Sequence, residues 1–447
     1  MGRAMTYKRY PKYKDSGVEW IGAIPGHWDT VKIARLGRLT KANGGSKEDN
    51  ADSGIPCIRY GELYTTYEHA IRKSRTYIRA DRLSEYTPIH HGDVLFAASG
   101  ETFEDIGRSA VTLLNEVACC GGDVIILKPE SDLDPLFLGY ALDSIASKAQ
   151  KALMGKGYTV VHIYADQLRE LVVALPPQIE QNAISSALDR ETARIDALIE
   201  KKTHFVELLK EKRQALITHA VTKGLDPDVK MKDSGVEWIG EVPEHWAASR
   251  LAHFAAVENG TTPSRANEAY WTGGDIAWLG SGEVNQVVVT EATEYITALA
   301  LRECSLRVLP NGTVVVGMVG QGKTRGLAAI LGIDATINQN LAAVCAGPRL
   351  NSQFLLHTLT AAYEWLREGG RGSNQAALNC ELLGEFRLAV PPQFEQLQII
   401  AYIAEMTERI DSIISKTERS RSLLKERRAA LISAAVTGQI DLREHAA

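Results

Sequence analysis

Gly317-Met-Val-Gly-Gln-Gly-Lys323-Thr324 satisfies the pattern G-x-x-x-x-G-K-[ST]. Such a loop cradles phosphates on backbone N–H groups, with the lysine on the outer phosphates and the hydroxyl on magnesium. The chemistry also needs a helix whose N-terminus meets the phosphates. Here the following residues, RGLAAILGID at 325–334, are few and contain two glycines. The matching place in the first half, AASGETFEDIGR at 97–108, lacks Lys-Ser/Thr. A nucleotide-hydrolysing loop at 317–324 is therefore an alternative that its surroundings argue against. The simpler expectation is a Gly-rich turn between strands, leaving Lys323 and Arg325 to touch a phosphate backbone. LPPQ and VPPQ, at 175–178 and 390–393, lack the polar and aromatic neighbours of an amino-methyltransferase motif. No His/Cys/Asp cluster has metal spacing, and no nucleophile–base pairing stands out. The chain reads as non-catalytic, with no cofactor and no metal of its own.

Nucleic-acid chemistry is better represented. Arg59, Tyr60, Tyr64, Tyr67, Arg72, Lys73, Arg75, Tyr77, Arg79 and Arg82 fall within 24 residues. Basic residues interleaved with tyrosines suit phosphate contacts and groove insertion. In the second half, Arg371, Ser373, Asn374 and Gln375 lie in REGGRGSNQ, and Asn, Gln and Arg read base edges bidentately. The counterpart in the first half is GKGY, with Lys156 and Tyr158. Ser281 lies in IAWLGSGEV, parallel to the Arg59–Tyr60 segment. These residues are the candidate DNA contacts.

The elements that must position them come from a duplication. KDSGVEWIGAIPGHW at 14–28 returns as KDSGVEWIGEVPEHW at 232–246, with twelve of fifteen positions identical. Residues 174–226 match 389–441 at 25 of 53 positions. Between these anchors the halves diverge. HGDVLFAASG (91–100) still parallels NGTVVVGMVG (311–320), and PLFLGYAL (135–142) parallels SQFLLHTL (352–359). The expected plan is a variable domain at 1–174 (leader 14–28), a spacer helix at 175–226, a second variable domain at 227–389 (leader 232–246) and a second spacer helix at 390–447. Four of the seven tryptophans, Trp20, Trp28, Trp238 and Trp246, sit in the leaders and read as anchors at each domain's entrance.

The two matched segments predict long helices. Pro177 and Pro392 suit a first helical turn, and Gly224 and Gly438 suit the exits. Ile184, Leu188, Ile195, Leu209 and then Ile403, Ile410, Leu424, Leu431 recur at spacings of a coiled-coil seam. Ile199, Val206, Leu208 and Ile217 add apolar surface beyond one seam, which suits a further partner helix. The variable domains read as mixed strands and short helices.

Length and composition bound the rest. The chain has 447 residues, 45% hydrophobic and 23% charged, which favours several folded units over disorder. No apolar run long enough to cross a membrane occurs, and the six cysteines have no zinc-like spacing, so a reduced, cytoplasmic setting is expected. The net charge of −5 speaks against a simple nucleic-acid binder.

With its order of variable domain, PPxxEQxxI helix, variable domain and PPxxEQxxI helix, the chain resembles the DNA specificity subunits of type I restriction–modification systems. The resemblance implies an α+β fold: two similar mixed α/β target recognition domains joined by two long antiparallel coiled-coil helices in a pseudo-twofold tandem duplication. It implies that each domain reads half of a bipartite double-stranded DNA site and that the helices set the spacing and dock two methyltransferase subunits. Restriction/translocase subunits would complete the enzyme, and S-adenosylmethionine, ATP and Mg would sit on those partners. A coiled-coil adaptor without base readout is the competing expectation. The charge balance then predicts weak DNA binding by the isolated chain.

Overall fold

The computed structural model describes residues 7–130, 132–319, 323–368 and 378–443. The chain folds as two compact units. The first comprises Met1–Thr203 with Glu418–Ala447, and the second His204–Thr417. Each long helix is divided between the two units.

In the first unit a five-stranded sheet runs in the order Gly37–Lys41, Val124–Pro129, Val94–Ala97, Ser109–Thr112, Ala70–Ile71. All its pairings are antiparallel except the last, where Val111 faces Ala70 in parallel register. The central strands are apolar runs rather than alternating ones, since both faces are covered. Phe96, Val111 and Leu127 pack on Leu138 and Leu142, while Leu95, Ala110 and Ile126 pack on Ile58, Leu63 and Ile89. A second sheet orders Asn50–Ala51, Thr76–Ile78, Ile55–Ile58, Ala118–Cys120 and Thr87–Ile89.

The second unit repeats this plan with different side chains. Its five-stranded sheet orders Ala255–Asn259, Leu341–Ala346, Val314–Gly317, Ala328–Leu331, Val288–Val289, again ending on a parallel pair. A smaller sheet orders Glu294–Ile296, Ile276–Leu279 and Thr336–Ile337. The sequence parallels hold: Val94–Ala97 and Val314–Gly317 are the central strands, and Pro135–Leu142 and Ser352–Ala361 are the helices packed against them.

The long helices span Gln178–Lys223 and Gln393–Val436. Within the first unit they run antiparallel. Arg428 meets Asp196 at 2.9 Å and Arg421 donates to Thr203 at 3.3 Å, so one number falls by seven as the other climbs by seven. In the second unit Arg213 and Asp411 pair at 3.6 Å. Ile184, Leu188 and Ile195 pack with Leu431, Ala435 and Val436 in the first unit. Ile217, Ala220 and Val221 share a core with Ile399 and Ile403 in the second. No helix among the described residues is long and apolar enough to cross a membrane.

In each unit one helix starts and the other ends at the same junction, built from the duplicated motifs. Glu180 accepts hydrogen bonds from Trp28 Nε1 at 3.0 Å and pairs with His27 Nε2 at 2.7 Å. Glu395 does the same for Trp246 at 2.8 Å and His245 at 2.7 Å. The next residue repeats too. Gln181 accepts from the Asp134 N–H and donates to the Pro176 carbonyl. Gln396 accepts from the Asn351 N–H and donates to the Pro391 carbonyl. Gly224 and Gly438 terminate the helices at φ of +76° and +72°. The positive φ favours glycine at both, and at Gly438 a Cβ would also stand 2.2 Å from Pro25 Cδ, while at Gly224 it would press on the Trp246 ring at 3.3 Å. The leaders and the PPxxEQ segments therefore match because they interlock. Trp28 and Trp246 are buried anchors, and Trp238 donates to the Arg387 carbonyl at 3.0 Å, while Trp20 stays exposed.

One largely buried histidine, His69, is expected to make the first unit acid-sensitive. His69 stacks on Tyr140 with ring centroids 3.9 Å apart. Burial first, then the Arg428 guanidinium, pushes its pKa down to about 3; Arg72 and Lys148 lower it too, and Asp143 opposes them. The unfolded chain takes up a proton near pH 6.5 that the folded one refuses, so stability falls as pH drops from about 6.5 towards 3. Denaturant titrations at pH 6.5 and 4 are expected to show a smaller loss for His69→Phe, which keeps the stacking, than for the unaltered chain. An equal loss in both would contradict this account.

Candidate nucleic-acid interface

At one end of the first unit's sheets, loops around residues 43–50, 59–62, 86–87 and 121–122 converge. Arg59 ties them together. Its guanidinium donates to the carbonyls of Gly45 (3.2 Å) and Ser46 (2.9 Å), to Asn50 Oδ1 (2.7 Å) and to Tyr86 Oη (3.1 Å). Arg59 thus helps to hold these loops through its terminal nitrogens, while its Nε is buried without a partner. Arg72 is also engaged, pairing with Asp189 on the long helix at 2.6 Å. Arg82 pairs with Asp49 and Glu85, and Arg79 with Asp81. Three of the six basic residues at 59–82 are thus in ion pairs within the chain. Tyr60 and Lys73 remain exposed, and Arg75 is exposed while donating to Thr66 Oγ1 at 3.3 Å.

The helix Ile145–Met154 leads into a loop closed by mutual backbone bonds between Lys156 and His162. His162 also pairs with Ser99, so this loop lies beside the end of the central strand. Lys156 is exposed and Tyr158 projects fully into solvent, with Phe103, Val160 and Tyr164 exposed in the same region of the chain. Below the loop, fully buried Lys151 donates to the Gly107 and Leu142 carbonyls at 2.6 and 2.9 Å, and burial pulls its pKa down to about 7.

In the second unit the corresponding loops carry different groups. Where the first unit has Arg59-Tyr60, this one has Gly280-Ser281, and Asn338 takes the place of Gly121. Ser281 is half-buried at the start of a turn whose Val284 faces Gly317. Thr262 bonds Gln339, Asn340 N–H donates to Asn338 Oδ1 at 3.0 Å, and Met318 N–H donates to the Asn340 carbonyl at 2.9 Å. The run Asn338-Gln339-Asn340 was not singled out from the sequence. Three amide side chains in a row between two apolar strands are the signal that could have found it. Arg265 also sits 3.9 Å over the Trp271 ring and pairs with Glu294.

Gly317 ends a strand that pairs antiparallel with Ala328–Leu331, and Gly326 N–H donates back to the Gly317 carbonyl at 2.8 Å. A Cβ on Gly317 would stand 2.3 Å from the Thr324 carbonyl oxygen. The strands flanking the G-x-x-x-x-G-K-T pattern pair antiparallel, and the described residues after it, 323–334, form no helix to meet a phosphate, which argues against the nucleotide-loop alternative. Lys323 is exposed, its carbonyl accepting from Tyr363 Oη at 2.7 Å. Arg325 is half-buried and donates to the Arg367 carbonyl at 2.8 Å. These bonds bind Lys323 and Arg325 to the helix Tyr363–Glu368. Arg371, Ser373, Asn374 and Gln375 lie outside the described residues.

The helix residues named for partner docking are also placed differently. Ile184, Leu188, Ile195, Leu209, Ile403, Ile410 and Leu431 are buried and Leu424 is partly buried, all within this chain's own units. Periodicity located the seam, but the seam is internal. Of the extra apolar residues, Val206 and Ile217 are buried too, while Leu208 is exposed, as are Leu198, Phe205, Ile413 and Leu423.

Two sheet-and-helix modules that share a scaffold but differ in their polar loops define a recognition protein built twice. The comparisons give the family. The model of the type I restriction modification DNA specificity domain matches residues 25–208 and again 243–419, and the chain belongs to that family. It is 22% identical over 433 residues to the putative type I restriction enzyme MjaX specificity subunit of Methanocaldococcus jannaschii, covering 95% of this chain and 96% of that one. The EcoBI specificity subunit of Escherichia coli is 20% identical over 446 residues, covering 95% and 89%. The MjaIX specificity subunit of M. jannaschii is 26% identical over 193 residues, and that match spans 43% of its length. Among solved structures, a chain from work on complex assembly and conformational transition of the type I R-M system superposes with a TM-score of 0.71 at 16% identity, covering 92% of this chain and 98% of that one. The HsdS subunit from Thermoanaerobacter tengcongensis gives 0.55 at 17% identity, covering 93% and 98%. These structures share the fold.

Proposed function

We propose that this chain is the non-catalytic specificity subunit of a type I restriction–modification enzyme, binding a bipartite double-stranded DNA site with one half read by each unit. The observation that supports this most is the double family match, which falls on two units of the same sheet order carrying different loop chemistry. In the second unit Asn338, Gln339, Asn340 and Ser281 are suited to base edges, with Lys323 on phosphate. In the first unit Tyr60, Lys73, Arg75, Lys156 and Tyr158 are the exposed candidates. The long helices set the spacing between half-sites. Their exposed Leu198, Leu423, Phe205, Leu208 and Ile413 replace the buried seam as the surface for two methyltransferase subunits, with restriction subunits completing the enzyme. S-adenosylmethionine, ATP and Mg belong to those partners.

Sequencing-based mapping of methylated adenines, in a host expressing this chain with its methyltransferase, tests the reading. Two short defined tracts separated by a fixed undefined spacer are expected. Methylation at a single uninterrupted motif, or none, would contradict it and favour a plain assembly adaptor.

A further inference from the structure

The junction described above exists twice, and the two copies are not equally filled. In the first unit two chain segments close it. Tyr10 is buried there, its hydroxyl 3.4 Å from Glu180 Oε2. Its ring stands edge-on to Trp28 at 5.6 Å and tilted to His27 at 5.8 Å. The Arg443 guanidinium lies 4.9 Å from the ring centroid. The two segments pair with each other, Asp441 N–H donating to the Lys8 carbonyl at 2.8 Å.

The second unit has Pro243, His245, Trp246, Glu395 and Ile399 at positions equivalent to Pro25, His27, Trp28, Glu180 and Ile184, and all of these but Trp246 line an open space, with Val229 beside them. Here, however, the chain passes only once, from Gly224 to the strand Met231–Asp233. A cavity of about 570 Å³ is left beside His245 and Glu395, walled by Leu225, Pro243, Phe394 and Ile399. That volume is in the range of sites that hold small ligands, roughly 300–1,000 Å³. Its rim is acidic. Asp226 and Glu395 line it and Asp228 is exposed next to it, while Lys223, the cation of the lining, donates to the carbonyls of Ile239 and Glu241.

We infer that this cavity is a docking slot for a tyrosine side chain flanked by basic residues, presented by a segment of a partner polypeptide. The phenol fits because His245 and Glu395, which line the cavity, are equivalent to His27 and Glu180, beside which the first unit holds Tyr10, its hydroxyl reaching the glutamate that also takes the Trp28 N–H. The basic flanks follow from the carboxylates at the rim, and Tyr10 itself sits in Lys8-Arg9-Tyr10-Pro11-Lys12. The inference rests on the junction's geometry and needs neither DNA nor a methyltransferase, so its failure leaves the reading of the loops untouched.

The probe is a fluorescent synthetic peptide of residues 7–15, YKRYPKYKD, titrated against the full-length chain by anisotropy. Saturable one-to-one binding is expected, weakened at least tenfold when the peptide's tyrosine at position 10 is alanine. Val229→Trp, which fills the slot from its own wall, is expected to abolish binding, and Asp226→Lys, on an exposed rim position, to weaken it severalfold. A photo-crosslinking residue at peptide position 10 should map to residues 223–229 or 394–399. No binding at millimolar peptide, binding indifferent to both chain variants, or crosslinks to residues 177–184 instead, would overturn the proposal.

Discussion

Exchanging residues 251–386 for the corresponding segment of another family member is expected to replace one half of the methylated site and leave the other half unchanged. The boundaries follow from the fold. Ala247–Arg250 pairs with Arg387–Val390 across the base of the second unit, with Ala248 opposite Ala389, so cutting just inside this pair keeps the closure intact. The exchanged segment carries Thr262, Ser281, Lys323, Arg325 and Asn338–Asn340. The retained part keeps Trp246, Glu395 and Ile399, on which an incoming helix equivalent to Ser352–Ala361 must pack. Each wrong base pair at a well-contacted position costs about 1–3 kcal/mol, so a new set of loop side chains redirects binding completely rather than by degrees. Adenine-methylation maps of chimera and parent give the comparison. A change in both halves would mean that the units do not read DNA separately.

Glu180→Leu is expected to unfold the first unit's junction while leaving the second intact. The carboxylate takes the fully buried Trp28 N–H and pairs with His27, with Tyr10 at 3.4 Å and Arg443 at 3.5 Å beside it. Leucine leaves the buried Trp28 N–H without an acceptor, while His27 and Arg443, each more than two-fifths exposed, can turn to water. One orphaned buried donor costs about 1–3 kcal/mol, and the exposed pairs to His27 and Arg443 add little. A loss of about 2–3 kcal/mol is expected, with Glu180→Gln milder at about 1 kcal/mol because it still accepts one N–H. Hydrogen exchange reads the location. Amides of Asp29–Lys32 and Val172–Leu175 should lose protection, while those of Ala247–Arg250 and Arg387–Val390 should keep it. Glu395→Leu should give the mirror outcome.

The parts that were legible in the sequence are those where one residue's role is repeated. His27-Trp28 and His245-Trp246, with Glu180-Gln181 and Glu395-Gln396, stand at matched positions because each set must interlock, and that duplication exposed the fold. What the sequence concealed was who pairs with whom. Arg59 reads as a phosphate contact, yet the carbonyls of Gly45 and Ser46 are found on its guanidinium. Composition cannot distinguish an arginine that holds a loop from one that meets DNA. Heptad spacing located Ile184, Leu188 and Ile403, yet spacing says nothing about whether the facing helix belongs to the same chain. Nor does chain order show which residues meet, since antiparallel helices bring Asp196 to Arg428 across more than two hundred residues. Asn338-Gln339-Asn340 was passed over because a polar triplet in a loop reads as solvated surface until the strands beside it are placed.

The central claim is that two units of one chain read two separate DNA tracts. Footprinting of a duplex carrying the mapped site, bound by this chain with its methyltransferase, tests it most directly. The expected result is two protected tracts flanking an unspecific spacer, with substitutions at Asn338 and Gln339 weakening protection of one tract alone. A single continuous tract, or equal weakening of both, would contradict the account.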